Sequence, residues 1–271
     1  MTITDAIIIA IVEGLTEFLP ISSTAHMKFT HPLLNLQPTP FSDMFEVVIQ
    51  LAAILAVVML YWKKFIPAKG QIADRFQFYL KLAVAVIPSL VAGFFLKKHI
   101  DSALGNLTFI AAVMIAGGVV LLFVDNWFKQ PQIDDERKIN FKTAFVIGCG
   151  QILSIIFPGL SRSAATIITG MSQKLTRSAA AEFSFFLAVP TMLAASVKSF
   201  WDTYQDHPDV LSGDTTTILL VGSVVAFVVA ALAISFFINF LKKYGFRFWG
   251  YYRIAVGLIM LGLIWAGIIQ H

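Results

Sequence analysis

The sequence predicts an all-α polytopic membrane protein, with six transmembrane helices plus two re-entrant helical hairpins in an inverted-topology repeat. Three observations carry this. Hydrophobic residues make up 58% of the 271-residue chain and charged residues only 13%, against about 25% charged residues in soluble domains. Such a chain cannot cover a water-facing surface, which excludes a soluble enzyme, a disordered tail and a coiled coil. Six segments are long and apolar enough to cross a bilayer, and two further apolar stretches are cut short by a proline followed by hydroxyl-bearing residues.

In chain order, residues 3–19 form the first interrupted stretch, ending at Pro20-Ile21-Ser22-Ser23-Thr24. Glu13 and Glu17 break its apolar run, and no basic segment precedes it, so it does not read as a secretory signal. Spans are expected over 43–62, 78–97 and 106–128, each meeting the requirement of about 20 mostly apolar residues. Lys81 lies near one end of the second span and can snorkel, and Pro88 can kink a packed membrane helix. Residues 141–157 repeat the interrupted pattern and stop at Pro158-Gly159-Leu160-Ser161-Arg162-Ser163. Three more spans follow over 178–199, 215–241 and 250–270. Non-helical backbone at membrane depth survives only when buried in protein or facing a cavity, so both interrupted stretches read as re-entrant hairpins.

Loop charge sets the expected orientation. Lys63, Lys64, Lys69, Arg75 and Lys81 face only Asp74 in one connection, and Lys242, Lys243, Arg247 and Arg253 face no acid in another. Asp202, Asp206, Asp209 and Asp214 share a connection without Lys or Arg. The first two are expected to be cytoplasmic and the third external. This puts both termini outside; Lys97, Lys98 and Asp101 outside are a mild violation, and the mixed run 134–138 falls inside. The net charge of +4 reads as topology signal and lipid-headgroup contact, not nucleic-acid binding. A single cysteine, Cys149, allows neither an intrachain disulfide nor a thiolate metal site.

The two interrupted stretches align at a constant offset of 138 residues, pairing Pro20 with Pro158, Glu13 with Gln151, Ser23 with Ser161 and Phe45 with Phe183. One integral domain over 1–271 is expected, with one repeat over about 1–128 and another over about 139–271. Each contributes one hairpin and three spans, so the second half is inverted relative to the first. In such proteins the functional site lies near the midplane where the halves meet.

Glu13 and Glu17 share a helix face at i, i+4, and intramembrane acids are costly and usually functional. Such a pair can hold a hard divalent cation whose shell substrate phosphates complete, or let one carboxylate act as a base. Ser22, Ser23 and Thr24 are N-cap candidates for the next helix, whose free N–H groups suit an anion. A serine there is also a candidate nucleophile, and His26 follows Ser23 by one turn, so the two can meet. The second break supplies Arg162, suited to bidentate phosphate contact, between Ser161 and Ser163. Gly159 admits close backbone approach, and Thr166 lies one turn on. Arg177 and Arg253 read as markers of cytoplasmic helix ends. Together the two breaks describe a phosphate site, and in a bilayer its substrate is expected to be a lipid phosphate or diphosphate.

These motifs resemble the undecaprenyl-diphosphate phosphatase, or bacitracin-resistance, family. Residues 13–26 (EGLTEFLPISSTAH) resemble its E-x3-E and Ser-Ser-Thr-x-His signature, and residues 158–166 (PGLSRSAAT) its P-G-x-S-R-S-x-x-T signature. Residues 45–51 and 182–190 are also similar to family blocks, so the likeness spans nearly the whole chain. Departures lie outside the signatures: Met27-Lys28-Phe29 is unusually polar, and Ala164 stands where some members carry Gly. The resemblance implies an integral inner-membrane enzyme that removes the terminal phosphate of undecaprenyl diphosphate, recycles the carrier for peptidoglycan synthesis and confers bacitracin resistance. It implies a divalent cation, Mg²⁺ or Ca²⁺, on Glu13 and Glu17, and an active site facing the exterior. Carried onto this chain, Ser23 is the expected nucleophile, His26 its acid or base, Glu13 and Glu17 metal ligands or proton relays, and Arg162 the stabiliser of developing charge. Ser22, Thr24, Gly159, Ser161, Ser163 and Thr166 are expected to bind substrate. Expected partners are the lipid diphosphate and membrane lipids, with room for a homodimer.

Two other readings compete with this one. An inverted repeat is also the plan of many secondary transporters, so a lipid-phosphate flippase is the alternative. The other membrane lipid phosphatase class requires K-x6-R-P, P-S-G-H and S-R-x5-H blocks. This chain has neither Arg-Pro nor Pro-Ser-Gly-His, and residue 168 is Ile.

Overall fold

The computed structural model describes residues 1–66, 72–211 and 213–269. Lys69 and Gln270, used above in reading the loops and the last span, lie outside the described residues, as does the side chain of Asp101. Among the described residues there is no strand, and the α-helices are α1 Ile3–Thr16, α2 Ser23–Leu33, α3 Pro40–Leu60, α4 Trp62–Phe65, α5 Ile72–Phe95, α6 Lys97–Leu104, α7 Leu107–Trp127, α8 Phe141–Ile156, α9 Arg162–Ser172, α10 Arg177–Asp206, α11 Gly213–Tyr244 and α12 Arg247–Trp265. Six of these, α3, α5, α7, α10, α11 and α12, are long and apolar enough to span a bilayer, so this is a multi-pass membrane protein.

Helix starts follow local capping chemistry. Thr2 and Asp5 form a reciprocal capping box at α1, and Thr39 with Ser42 does the same at α3, where Pro40 occupies the first turn. Asn106, Asn140 and Thr176 cap α7, α8 and α10. These caps satisfy N–H groups that a helix start leaves without partners.

Several boundaries differ from the sequence reading. α10 runs to Asp206, so Asp202 sits on the helix, where it pairs with Lys198 one turn back. The segment 242–253, expected as a basic loop, is almost entirely helical. Only Gly245 and Phe246 interrupt it; Gly245 has a φ of 68°, and Asp125 satisfies the turn by accepting from the Phe246 N–H at 2.8 Å.

The short helices occur as two pairs, α1–α2 and α8–α9. At 1.5 Å per residue, the 14 residues of α1 and 11 of α2 reach only about 21 and 16 Å, short of the ~30 Å apolar core. α1 packs along α11, and Gly14 lies against the middle of that helix, where a Cβ would come within 2.9 Å of the Ala226 carbonyl oxygen. After α2, Leu34 and Leu36 pack in the cluster that holds Met1, Ala6 and Leu219. α8 packs along α5 in the corresponding way. Its approach and the exit of α9 are tied together, because the N–H groups of Gln132 and Ile133 donate to Lys174 O and Thr176 N–H donates to Ile133 O. Beside this link Arg177 of α10 meets Asp125 of α7 at 2.7 Å. α3 packs against α10 and α7 against α12 to complete the bundle.

An aromatic cluster fills the bundle near the end of α3. Phe186 meets Tyr61, Phe65 and Phe78 edge-on with centroids 5.2, 5.3 and 5.6 Å away, the favoured geometry for aromatic quadrupoles. Beside it Lys64 bridges Glu136, at 2.9 Å, and Glu182. Arg75 adds hydrogen bonds to the carbonyls of Lys63 and Lys64.

Candidate active site

The two breaks meet. Each begins its second helix with a serine at positive φ, Ser22 at 70° and Ser161 at 78°, a conformation that costs non-glycine residues of order 1–3 kcal/mol and concentrates at functional sites. Each serine Oγ accepts from the N–H three residues on, Ala25 and Ala164, both at 3.3 Å. In backbone terms, then, the counterpart of Ser161 is Ser22, and Ser23 corresponds to Arg162. The helix that follows each serine presents its first N–H groups without intrahelical acceptors, so two helix starts favourable to anions lie at adjoining breaks.

Glu17 joins the two sides. Its Oε2 accepts from Ser23 Oγ at 2.6 Å, and its Oε1 accepts from Arg162 Nη2 at 2.9 Å. Arg162 Nη1 donates to Ser184 O at 3.0 Å, and the guanidinium lies 5.9 Å from the centroid of the Phe18 ring. One carboxylate thus holds a hydroxyl and a guanidinium that stand 139 positions apart in the chain. The group lines a cavity of about 980 Å³, together with Ser22, Thr24, Gly159 and Ser161. Further out the cavity passes apolar residues such as Leu90, Phe94 and Met192 and reaches Lys198, Asp202 and His207. It combines a polar end with a long apolar wall.

The remaining sequence-predicted residues divide. Glu13 is fully buried one turn behind Glu17, does not itself line the cavity, and neither of its carboxylate oxygens has a hydrogen-bond partner. A buried pair of orphaned hard oxygens one turn from Glu17 suits an oxygen-seeking divalent cation. Among the described residues no group of three His, Cys, Asp or Glu side chains forms a complete metal site, so an ion here needs substrate oxygens or water for the rest of its shell.

Ser163 and Thr166 depart from the expectation that they contact substrate. Both are fully buried and neither lines the cavity. Ser163 Oγ donates to Leu19 O at 2.7 Å, and Thr166 shares a 2.7 Å hydrogen bond with Ser184. They join break to break and α9 to α10. His26 also departs from expectation. Its Nδ1 lies 2.8 Å from Ser22 O and its Nε2 2.8 Å from the Tyr252 hydroxyl, and the two rings stack with centroids 5.7 Å apart. Both ring nitrogens are engaged, and the acceptor for Ser23 is Glu17.

Arg253, a weaker candidate by sequence and read there as a helix-end marker, has a different place. It is no helix-end marker: it lies two turns inside α12, fully buried, and its guanidinium donates to carbonyls of both breaks. The available signal was a charge within an otherwise apolar span, a pattern that marks functional residues.

Fold and site define a multi-pass helical membrane protein with a Ser23–Glu17–Arg162 cluster where two interrupted helix pairs meet. The chain matches the family of bacitracin resistance protein BacA over residues 6–259 and belongs to it. It is 46% identical over 279 residues to an undecaprenyl-diphosphatase of Porphyromonas gingivalis (strain ATCC BAA-308 / W83), with 99% of each chain covered. It is 48% identical over 261 residues to the undecaprenyl-diphosphatase of Flavobacterium psychrophilum, covering 96% of this chain and 95% of that one. To the enzyme of that name in Bdellovibrio bacteriovorus it is 42% identical over 269 residues, with 98% of each chain covered.

Proposed function

We propose that the protein hydrolyses undecaprenyl diphosphate to undecaprenyl phosphate and inorganic phosphate. This returns the lipid carrier to peptidoglycan synthesis and confers bacitracin resistance. The observation that carries the reading is the convergence of Ser23 and Arg162 on the two oxygens of Glu17, at the wall of a cavity with an apolar extension. The names of the full-length relatives agree with it.

In this reading the diphosphate enters with its prenyl chain along the apolar wall and its phosphates at the starts of α2 and α9. Arg162 exchanges its contact with Glu17 for the phosphate oxygens and offsets the charge that develops on them. Released from the guanidinium, Glu17 takes the Ser23 proton, and Ser23 Oγ attacks the terminal phosphorus. The bond from that phosphorus to the bridging oxygen breaks, the lipid monophosphate leaves, and water then cleaves the phosphoserine. Glu13, with Glu17, would hold Mg²⁺ or Ca²⁺, which when bound supplies positive charge to the diphosphate oxygens. His26 orients the Ser22 turn through its carbonyl.

The same reading includes two inverted repeats with re-entrant pairs. It is supported by the matched packing of α1 on α11 and α8 on α5 and by the paired positive-φ serines. It places the protein in a bacterial plasma membrane with the cavity open to the exterior. The acidic residues Asp202 and Asp206 lie toward its mouth, and the basic Lys63, Lys64, Lys242 and Lys243 at the ends of α3 and α11 suit the cytoplasmic side.

The test is phosphate release by purified protein in detergent, where no second compartment exists and transport gives no signal. Ser23→Ala and Arg162→Ala are each expected to lose about 10²-fold or more, the scale of typical charge-stabilisation losses. Near-normal turnover in both overturns the assignment. Trapping a phosphoserine at residue 23 separates attack by serine from attack by water.

A further inference from the structure

Among the described residues Arg253 is a fully buried charged side chain. Among the described residues its hydrogen-bond partners are four backbone carbonyls and no carboxylate. Nε donates to Met114 O at 3.1 Å, Nη1 to Pro20 O at 3.0 Å and Leu160 O at 2.7 Å, and Nη2 to Gly159 O at 2.9 Å. Pro20 belongs to the first break, three residues before Ser23. Gly159 and Leu160 belong to the second, just before Ser161 and Arg162. The carbonyls of Pro20, Gly159 and Leu160 lie where the helical ladder stops, and an unpaired buried carbonyl carries a desolvation penalty. A single planar guanidinium with five N–H donors in a rigid fork therefore serves both breaks and α7 at once.

The packing of α7 on α12 is arranged around this side chain. A Cβ on Gly117 would sit against the guanidinium, 3.0 Å from its Cζ, and one on Gly118 would lie 3.0 Å from Arg253 Cβ. Arg253 does not line the cavity, so it does not touch substrate.

We infer that Arg253 is a positioning residue that braces the two breaks against each other, holding the Ser23–Glu17 side of the site in register with the Arg162 side. The inference rests on the proposed reaction, which needs both sides. Its neighbours explain why the brace is an arginine. Lysine would carry the charge but presents three donors from one point, too few and too converged to reach carbonyls on three elements.

The experiment uses full-length protein in detergent micelles with a long-chain prenyl diphosphate. kcat is expressed per binding-competent site, counted by titration with a non-hydrolysable prenyl bisphosphonate, so that loss of folded protein does not register as loss of rate. Three variants are compared with Arg162→Ala: Arg253→Gln, Arg253→Lys and Gly117→Ala. The last keeps the charge and displaces the guanidinium. Because a misplacement of about 1 Å can cost about 10²-fold in rate, Arg253→Gln and Gly117→Ala are expected to fall by that order. Arg253→Lys is expected to stay at least about 10-fold down. Wild-type turnover in Arg253→Lys or in Gly117→Ala overturns the brace, and these two milder variants decide the matter should Arg253→Gln not fold. Wild-type turnover in Arg162→Ala as well would instead overturn the reading of the site itself.

Discussion

Replacing Glu17 by glutamine separates charge from shape at the centre of the site. In the wild-type protein one carboxylate oxygen lies 2.6 Å from Ser23 Oγ and the other 2.9 Å from Arg162 Nη2. The amide keeps one acceptor oxygen and turns the other position into a donor, so it can serve only one of the two partners well. Whichever way it turns, Ser23 no longer has a base. General-base removal costs about 10²–10⁴-fold, and at about 1.36 kcal/mol per decade even the lower bound raises the barrier by about 2.7 kcal/mol. Solvent cannot compensate, since the side chains of Arg162 and Glu17 are only 14% and 6% exposed. Removing one partner of a buried ion pair also destabilises the fold, by about 3–5 kcal/mol, so a lowered melting temperature is expected alongside the lost rate. The assay is phosphate release from a prenyl diphosphate in detergent, per bisphosphonate-binding site, with Ser23→Ala as the reference. Turnover of Glu17→Gln within about three-fold of wild type, against the decades expected for a lost base, refutes both the base assignment and the exchange of Arg162 from carboxylate to phosphate.

Three further outcomes are expected. Chelation should abolish phosphate release, with Mg²⁺ or Ca²⁺ restoring it, and Glu13→Gln should raise the metal concentration for half-maximal rate by about 10-fold or more, on the scale of lost metal-site contacts; the metal titration reads this directly. Lys64→Met leaves the buried Glu136 and the half-buried Glu182 without their shared cation, so thermal melting should show a loss of about 1–3 kcal/mol, part of which Glu182→Gln recovers in the double variant. Arg137 donates side-chain hydrogen bonds to Asp135 and, despite partial burial, holds its carboxyl down to about 2 from an ordinary 3.8. A depressed acid contributes stability above its unfolded value and loses it as pH falls toward the folded one. Asp135→Asn should therefore lower the melting temperature at neutral pH and leave it unchanged near pH 2, a difference that paired melting curves detect.

The six spans were legible because hydropathy and capping are local properties. A run of about 20 apolar residues has no stable alternative in a bilayer, and Thr39, Asn106 and Thr176 mark helix starts by their own side-chain chemistry. The two breaks were legible for the same reason, since Pro20 and Pro158 interrupt any helix that contains them. Composition and motif also singled out Glu17, Ser23 and Arg162 as candidate site residues, and the structure brings the three together. Pairing was another matter. His26 stands one turn from Ser23 and was the obvious partner by spacing, yet the positive φ at Ser22 turns the helix start so that Ser23 meets Glu17 and the imidazole meets Tyr252, 226 residues away. Ser163 and Thr166 looked like substrate ligands beside Arg162, but the approach of Leu19 and Ser184 uses their hydroxyls within the protein.

The sequence by itself therefore determined that this protein lives in a membrane, where it crosses, where its helices break and which residues carry charge or hydroxyls there. Those properties depend on neighbours a few positions apart and on the free energy of moving side chains out of water. Only the tertiary structure decided that Ser23 and Arg162 share Glu17, that His26 turns away, and that Arg253 ties both breaks together. Hydrogen bonds between groups more than a hundred residues apart depend on which helices pack and on which backbone carbonyls the breaks leave free, and no local pattern encodes either.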